Sequence, residues 1–156
     1  MSQVIRMIRS VPPRDWSAVM AAALVAVGVE VGLRTLGLQH LARMVGAPLG
    51  SGAVGDPGTG CWDSEPPVLR ERDRRRVRAT RRVMRHWAFG DTCLRQALVS
   101  GHRLRHLGPT LQVGVAKIDG EVRAHAWLEI RGTVLDPMHA AESYLSLTPV
   151  TRGGAP

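Results

Sequence analysis

The first strong pattern along the chain is a nearly continuous apolar run, AVMAAALVAVGVEVGL, at residues 18–33. It predicts a long helix that begins after a VPPRDW break, with Asp15 as its N-cap, and continues to about Val45 with an interruption near Gly37. Its uncharged stretch is shorter than the ~18 residues that a membrane span requires. Because Glu30 and later charged residues continue the same helix, we expect a buried core helix, with weak contact at a membrane surface as the alternative.

The second pattern follows a Gly/Pro/Ser-rich loop at residues 46–67 and combines arginines with a narrow apolar stripe. Residues 68–88, VLRERDRRRVRATRRVMRHWA, hold nine arginines. The three- and four-residue spacing of the less polar positions predicts an amphipathic helix with a cationic back. These positions are Val77, Thr80, Val83, Met84 and Trp87. At this charge density, a solvated helix face and a binding surface are both open interpretations.

The third pattern is a helix followed by alternating strands. The helix begins in GDTCLRQALVSGHRLRHLG, with Asp91 or Thr92 as its N-cap. The period then changes from helical to alternating through LQVGVAKI, an Asp-Gly turn at 119–120, EVRAHAWLEI, a second turn at Arg131 and Gly132, and TVLDP. We therefore predict a three-stranded antiparallel meander.

Composition adds a strong positive charge to this picture. The 156 residues suit one domain, and their net charge is +8, carried by arginine because Lys117 is the only lysine. Such a balance points to acidic partners: a nucleic acid, an anionic membrane surface or an acidic peptide. No zinc-finger spacing or aromatic ladder supports nucleic-acid binding. The two cysteines, Cys61 and Cys93, are too few for a disulfide framework, so we expect a reduced, cytoplasmic protein.

Three residues of these segments form a candidate nucleophilic site. Cys93 falls at the first or second position of its helix, where free backbone N–H groups and the helix dipole favour a thiolate and can hold an oxyanion. In the middle strand, His125 and Trp127 point to one face. A two-residue turn at 131–132 places Asp136 diagonal to His125 on that face, within reach of a hydrogen bond. Nucleophile, base and orienting acid in this arrangement are typical of papain-type enzymes.

The same residues carry a family resemblance. CLRQALVSGHRLRHLG and LQVGVAKIDGEVRAHAWLEIRGTVLDP resemble the transglutaminase-like cysteine peptidase of lasso-peptide biosynthesis, over about residues 77–138. The shared pattern is a Cys-Leu helix start, a Gly-Val strand, an Ala-His-Ala-Trp strand and a downstream Asp. The resemblance implies an α+β, papain/transglutaminase-like fold with a Cys-bearing helix on a small antiparallel sheet. It makes Cys93 the nucleophile and a backbone oxyanion donor, His125 the general base and Asp136 the third member.

The resemblance also implies a function and partners. The enzyme would remove the leader peptide from a ribosomally made precursor, so that a separate ATP-dependent cyclase can close the freed core peptide. Because residues 1–90 show no strand pattern, we expect the split type, which works with a separate winged-helix leader-recognition protein and needs no cofactor or metal. We expect a helical region and loop over 1–66 and a peptidase core over 67–156, in one compact unit. Residues expected to meet the substrate or partner are Trp127, Trp87, Arg78, Arg82 and Arg85.

Other interpretations of these residues stay open. An acyl transferase or amidase would use the same triad, because an amine can replace water in resolving a thioester. A non-enzymatic basic binding module would leave Cys93 and His125 structural. His102 and His106 have the spacing of two metal ligands on a helix, but no third ligand is evident. His139 is a rival base that lies past the expected strand end.

Overall fold

A computed structural model describes residues 12–50, 69–118, 121–136 and 145–146. Over these residues the chain forms four α-helices followed by a four-stranded antiparallel sheet, which confirms the predicted α+β fold class. The helices are α1 (Trp16–Thr35), α2 (Leu38–Met44), α3 (Glu71–Met84) and α4 (Cys93–Arg103), with 3₁₀ turns at Pro13–Asp15 and Arg105–Leu107. The strands are β1 (Thr110–Ile118), β2 (Glu121–Ile130), β3 (Thr133–Leu135) and β4 (Leu145–Ser146).

The break between α1 and α2 falls at Leu36 and Gly37, where the sequence predicts it. Both residues have extended backbone conformations, so the first helix ends there and α2 packs back against it. The two helices approach closely at Gly32, where an added Cβ would lie 2.5 Å from Leu41 Cδ1. A larger residue at position 32 would therefore force Leu41 to move or push α2 away from α1.

Helix α1 has one buried and one exposed face, and both are apolar. The exposed face carries Met20, Leu24, Val27 and Val31, each 52% to 70% exposed. By length and composition alone, the helix is able to cross a membrane, but core helices of folded proteins are often as long and as apolar. In this fold, 33% of its apolar 18-residue stretch is buried. The predicted burial therefore holds for one face. The buried positions are Val19, Ala22, Ala26, Val29, Glu30 and Gly32.

Helix α3 buries a stripe that differs in part from the predicted one. Val77 and Trp87 are only partly buried, whereas a carboxylate, Asp73, lies inside. Its Oδ1 atom accepts a hydrogen bond from Arg76 at 3.2 Å and lies 3.3 Å from His106 Nε2. Burial of this charge is tolerated because the Arg76 guanidinium pairs with it. The buried positions of α3 are Asp73, Ala79, Thr80, Val83 and Met84.

The sheet has the strand order β3-β2-β1-β4, and its hairpin register is the one predicted. Ile130 pairs with Thr133 and Leu128 pairs with Leu135 across the second turn. The Asp-Gly turn at 119–120 lies outside the described residues, but the strands on either side of it pair along their length. Strand β4, which pairs with β1, was not predicted because two residues are too few for an alternating pattern.

Helix α4 lies at the centre of the fold, in contact with α1, α3, β1 and β2. Glycine at position 101 permits this packing, since an added Cβ would lie 2.7 Å from Ala47 Cβ and 3.5 Å from Leu128 Cδ2. Leu128 is 1% exposed, and burying one leucine side chain stabilises a fold by about 2 kcal/mol. The predicted boundary between 1–66 and 67–156 falls on residues outside those described and stays a prediction.

Strand β2 changes character along its length. Its first four residues are exposed, whereas from His125 onward every residue but the partly buried Glu129 is buried. Successive residues of this strand therefore do not alternate between an exposed and a buried face, as they do in a sheet that has one face in solvent. His125 is the first buried position, so the imidazole lies at the point where the strand enters the core.

Candidate active site

His125 and Asp136 form a hydrogen-bonded pair within the β2–β3 hairpin. The turn has positive φ at both central residues, 53° at Arg131 and 78° at Gly132, which is the geometry of a two-residue type I′ turn. Asp136 follows β3 directly and lies beside His125, with 3.0 Å between Nε2 and Oδ2. Both side chains are 5% exposed. The contact predicted from the turn register is therefore confirmed, while the catalytic roles of the two residues stay predictions.

Trp127 covers the imidazole of this pair. The two rings stack with centroids 5.9 Å apart and planes inclined by 23°, and Trp127 is 2% exposed. Such a cover protects the hydrogen bond between His125 and Asp136 from water, which strengthens it. Because the carboxylate engages Nε2, the other ring nitrogen, Nδ1, is the one suited to exchange a proton with a thiol.

Cys93 is the first residue of α4, as predicted. Of the two candidate N-caps, the structure selects Thr92, whose hydroxyl accepts a hydrogen bond from the backbone N–H of Arg95 at 3.4 Å. Asp91 instead accepts one from the Gln96 side chain at 2.6 Å. The Cys93 thiol is partly buried and not in a disulfide. At this position the helix dipole favours a negative charge, and free backbone N–H groups are available to an oxyanion.

The packing of α4 on β2 brings the helix that begins at Cys93 against the strand that carries His125. The structure thus places His125 and Asp136 in direct contact and puts Cys93 at the N-terminus of the helix packed on their hairpin. The sequence predicted these three positions. The second cysteine, Cys61, and the rival base, His139, lie outside the described residues.

An ion pair that the sequence did not reveal holds the start of α4. Glu30, on α1, is 6% exposed; its carboxylate accepts a hydrogen bond from Arg95 Nε at 2.8 Å and forms an ion pair with Arg34 at 3.0 Å. Arg95 also donates from its guanidinium to the Thr92 hydroxyl at 3.3 Å. A continuous chain of contacts therefore runs from the buried face of α1 to the residue before Cys93. Its only sequence signal was a lone acid in an apolar helix.

This ion pair makes a pH prediction. The hydrogen bond and charge of Arg95 hold the pKa of the Glu30 carboxyl below its ordinary value of 4.5, although burial acts in the opposite direction. Because the folded-state pKa lies below the unfolded-state value, Glu30 stabilises the fold above about pH 4.5, and this contribution is lost as the pH falls through the folded-state pKa. We expect Glu30→Gln to unfold at lower denaturant concentration than the wild type at pH 7, with the gap closing toward pH 3.

Glu121→Gln is the matched control for that measurement. Glu121 also pairs with an arginine, Arg123, but at 3.5 Å and with its side chain 75% exposed. Exposed pairs contribute little to stability, so denaturant midpoints of this variant and the wild type should coincide at every pH. A gap between wild type and Glu30→Gln that stays constant from pH 7 to pH 3 would contradict the role assigned to Glu30.

The residues predicted to meet a substrate or partner do not gather around the His125–Asp136 pair. Trp87 follows α3, packs against the core and contacts Phe89 edge to face, with 6.3 Å between ring centroids. Three arginines line a cleft between α1 and α3, which is described below. They are Arg78, Arg82 and Arg85. Of the predicted set, only Trp127 lies at the candidate site.

The two helical histidines take part in other interactions. His106 contacts Asp73 and Arg76. Burial and the charge of Arg105 hold the pKa of His102 below its ordinary value. Among the described residues, no group of three or more His, Cys, Asp or Glu side chains is placed to hold a metal ion.

Comparison with known protein families gives one result. The family model described as the transglutaminase-like superfamily matches residues 23–152, which include all three residues of the candidate site. Neither a curated protein nor a solved structure matches the chain. The match therefore extends well beyond the Cys93 helix and the hairpin, into the apolar helix α1.

Proposed function

The chain belongs to the transglutaminase-like superfamily, and from this premise we propose that it is a cysteine peptidase that removes the leader from a lasso-peptide precursor. The observation that carries the proposal is the buried hydrogen bond between His125 and Asp136, on a hairpin packed against the helix that begins at Cys93. A buried carboxylate that orients an imidazole is the arrangement that activates a cysteine or serine nucleophile. The proposal of this particular substrate depends on the Cys-Leu and Ala-His-Ala-Trp motifs.

The proposed reaction has two steps. The Cys93 thiolate attacks the carbonyl carbon at the leader–core junction, and the backbone N–H of Cys93 donates to the developing oxyanion. Protonated His125 then gives its proton to the departing core amine, which leaves the leader as a thioester on Cys93. Water, deprotonated by His125, hydrolyses the thioester and frees the leader carboxylate. Throughout, Asp136 fixes the orientation of the imidazole and stabilises its charged form.

The proposed partners follow from the split type. We propose that a separate winged-helix protein presents the leader, and that an ATP-dependent cyclase takes the freed core peptide. Both would act in the cytoplasm, where a precursor is made and an unpaired thiol stays reduced.

Acyl transfer is the second candidate, because the superfamily includes acyl transferases as well as peptidases. The two reactions share the thioester on Cys93 and differ only in whether water or an amine attacks it. A covered imidazole such as His125 serves either step.

The test is the fate of a precursor peptide in water enriched in ¹⁸O. We expect mass spectrometry to find two products, a leader with one ¹⁸O atom in its new carboxylate and an unlabelled core with a free amine. An unlabelled leader joined to an added amine would establish acyl transfer instead. An intact precursor, with the recognition protein present and the peptidase folded, would rule out the leader-peptidase proposal.

A further inference from the structure

A cleft lies between the start of α1 and helix α3, and arginine side chains dominate its walls. Five of them line it: Arg75, Arg78, Arg81, Arg82 and Arg85. Val19 and Ala79 supply apolar surface between the arginines. The volume of the cleft is about 260 Å³, below the ~300 to 1,000 Å³ of typical small-molecule sites. The cleft therefore suits a few side chains of a peptide better than a whole cofactor.

Four of the arginines form one line along α3. Their spacing of three, four and three residues, from Arg75 through Arg78 and Arg82 to Arg85, keeps them on one side of a helix. At a rise of 1.5 Å per residue, the line is about 15 Å long. An extended peptide covers that distance with about five residues, whose alternate side chains point the same way. Carboxylates at alternate positions would therefore meet successive guanidinium groups.

Part of this positive charge has no counterpart within the described chain. Arg75 and Arg78 pair with the carboxylates of Asp15 and Glu71, respectively. Arg82 and Arg85 form no ion pair with any residue that the structure describes.

The positive surface continues around the start of α1 into a second cavity, which shares Arg75 and is also lined by Arg72, Arg76 and Arg103. Burial and the charge of Arg76 hold the pKa of Arg103 below its ordinary value. These guanidinium groups extend a positive potential, which attracts anions, to both sides of Arg75.

We propose that the arginine cleft is a docking site for an acidic, extended segment of the leader peptide, separate from the site of cleavage. This inference rests on the proposed function, because it takes the substrate to be a peptide. Planar guanidinium groups bind carboxylates with two parallel hydrogen bonds, and Val19 and Ala79 would take one small apolar side chain of the segment. Docking there holds the precursor while its junction reaches Cys93, and so lowers KM more than it changes kcat.

The lining favours a peptide over nucleic acid. No aromatic side chain lines the described walls, although single strands bind through stacking of their bases on aromatic rings.

The test measures binding without cleavage, so that a failure of docking is distinct from a failure of catalysis. The probe is a fluorescein-labelled peptide of twelve residues, with glutamate at alternate positions and one valine, bound to the Cys93→Ala protein at low salt. We expect its dissociation constant to rise by about tenfold in the Arg82→Gln/Arg85→Gln variant. The Arg82→Lys/Arg85→Lys variant keeps the charge but loses the paired hydrogen bonds. Its dissociation constant should therefore lie between those of the parent protein and the Arg82→Gln/Arg85→Gln variant.

Arg43→Gln/Arg74→Gln is the matched control, because it removes the same charge from exposed arginines outside the cleft. Its dissociation constant should stay within about threefold of the parent. If the Arg82→Gln/Arg85→Gln and Arg43→Gln/Arg74→Gln variants bound the peptide equally weakly, net charge alone would explain the effect. The proposed docking site would then be wrong. Tighter binding of a single-stranded oligonucleotide or of phosphatidylserine vesicles, lost in the cleft variant, would overturn the assignment to a peptide. So would equal binding of the peptide with every glutamate replaced by glutamine.

Discussion

Cys93→Ala should lower kcat for leader cleavage by about 10⁴-fold or more, to the background rate. Alanine removes the proposed nucleophile, and no other described nucleophile begins a helix packed on the His125 hairpin. The side chain is only partly buried and small, so the fold should survive the change. The measurement is a single-turnover cleavage assay read by mass spectrometry, with the thermal midpoint as the check on folding.

The chain supplies its own control for that experiment. Cys61 is the other cysteine, in the Gly/Pro/Ser-rich stretch, and Cys61→Ala should cleave at the wild-type rate. Alkylation with iodoacetamide should abolish activity in Cys61→Ala and add one label to Cys93. If the Cys93→Ala protein still cleaves while Cys61→Ala does not, the nucleophile has been assigned to the wrong cysteine.

The second large effect should come from replacing His125, the proposed general base. His125→Gln is expected to reduce kcat by about 10² to 10⁴-fold, because an amide of similar length keeps a polar contact with Asp136 but cannot take up and return a proton. Substrate affinity should change little, since the imidazole acts on the reacting atoms. The readout is kcat and KM measured separately at pH 7, where the loss should fall on kcat and leave KM nearly unchanged.

Two further variants make the result specific to the pair. Asp136→Ala should produce a smaller loss than His125→Gln, because it disorients the imidazole without removing it. His102→Gln, a histidine change in α4 away from the pair, should cleave normally. Equal rates for His125→Gln and the wild type would mean that His125 is a core histidine, and the catalytic assignment would then fail.

The hairpin that carries His125 and Asp136 was predictable because its determinants are local. Alternation fixes which residues share a face, and a two-residue turn with left-handed backbone fixes the register. Gly132 supplies one of these conformations at no cost, and Arg131 adopts the other. The start of α4 was predictable for the same reason, although only the structure decides that Thr92 and not Asp91 is the N-cap.

Features that depend on packing between distant segments were not predictable. Glu30 and Arg95 are 65 positions apart, and no local sequence pattern around either residue indicates that the two side chains pair. Helix α1 shows a related limit. Because apolar residues occupy all of its sides, no periodic signal marks which face packs, and the exposed row that begins at Met20 could not be separated from the buried one.

The brevity of the β2–β3 connection sets an order of assembly. His125 and Asp136 are eleven positions apart, and hairpins of this kind close in about 1–10 μs. The helix that begins at Cys93 meets this hairpin only when α4 docks on β2, a contact between separate segments that costs a larger loop-closure entropy. We therefore expect a newly made chain to form the His125–Asp136 contact before α4 brings Cys93 into its final position. The proposed hydrolytic activity would then arise only with this docking step, so that a partly folded chain would leave neighbouring peptides intact.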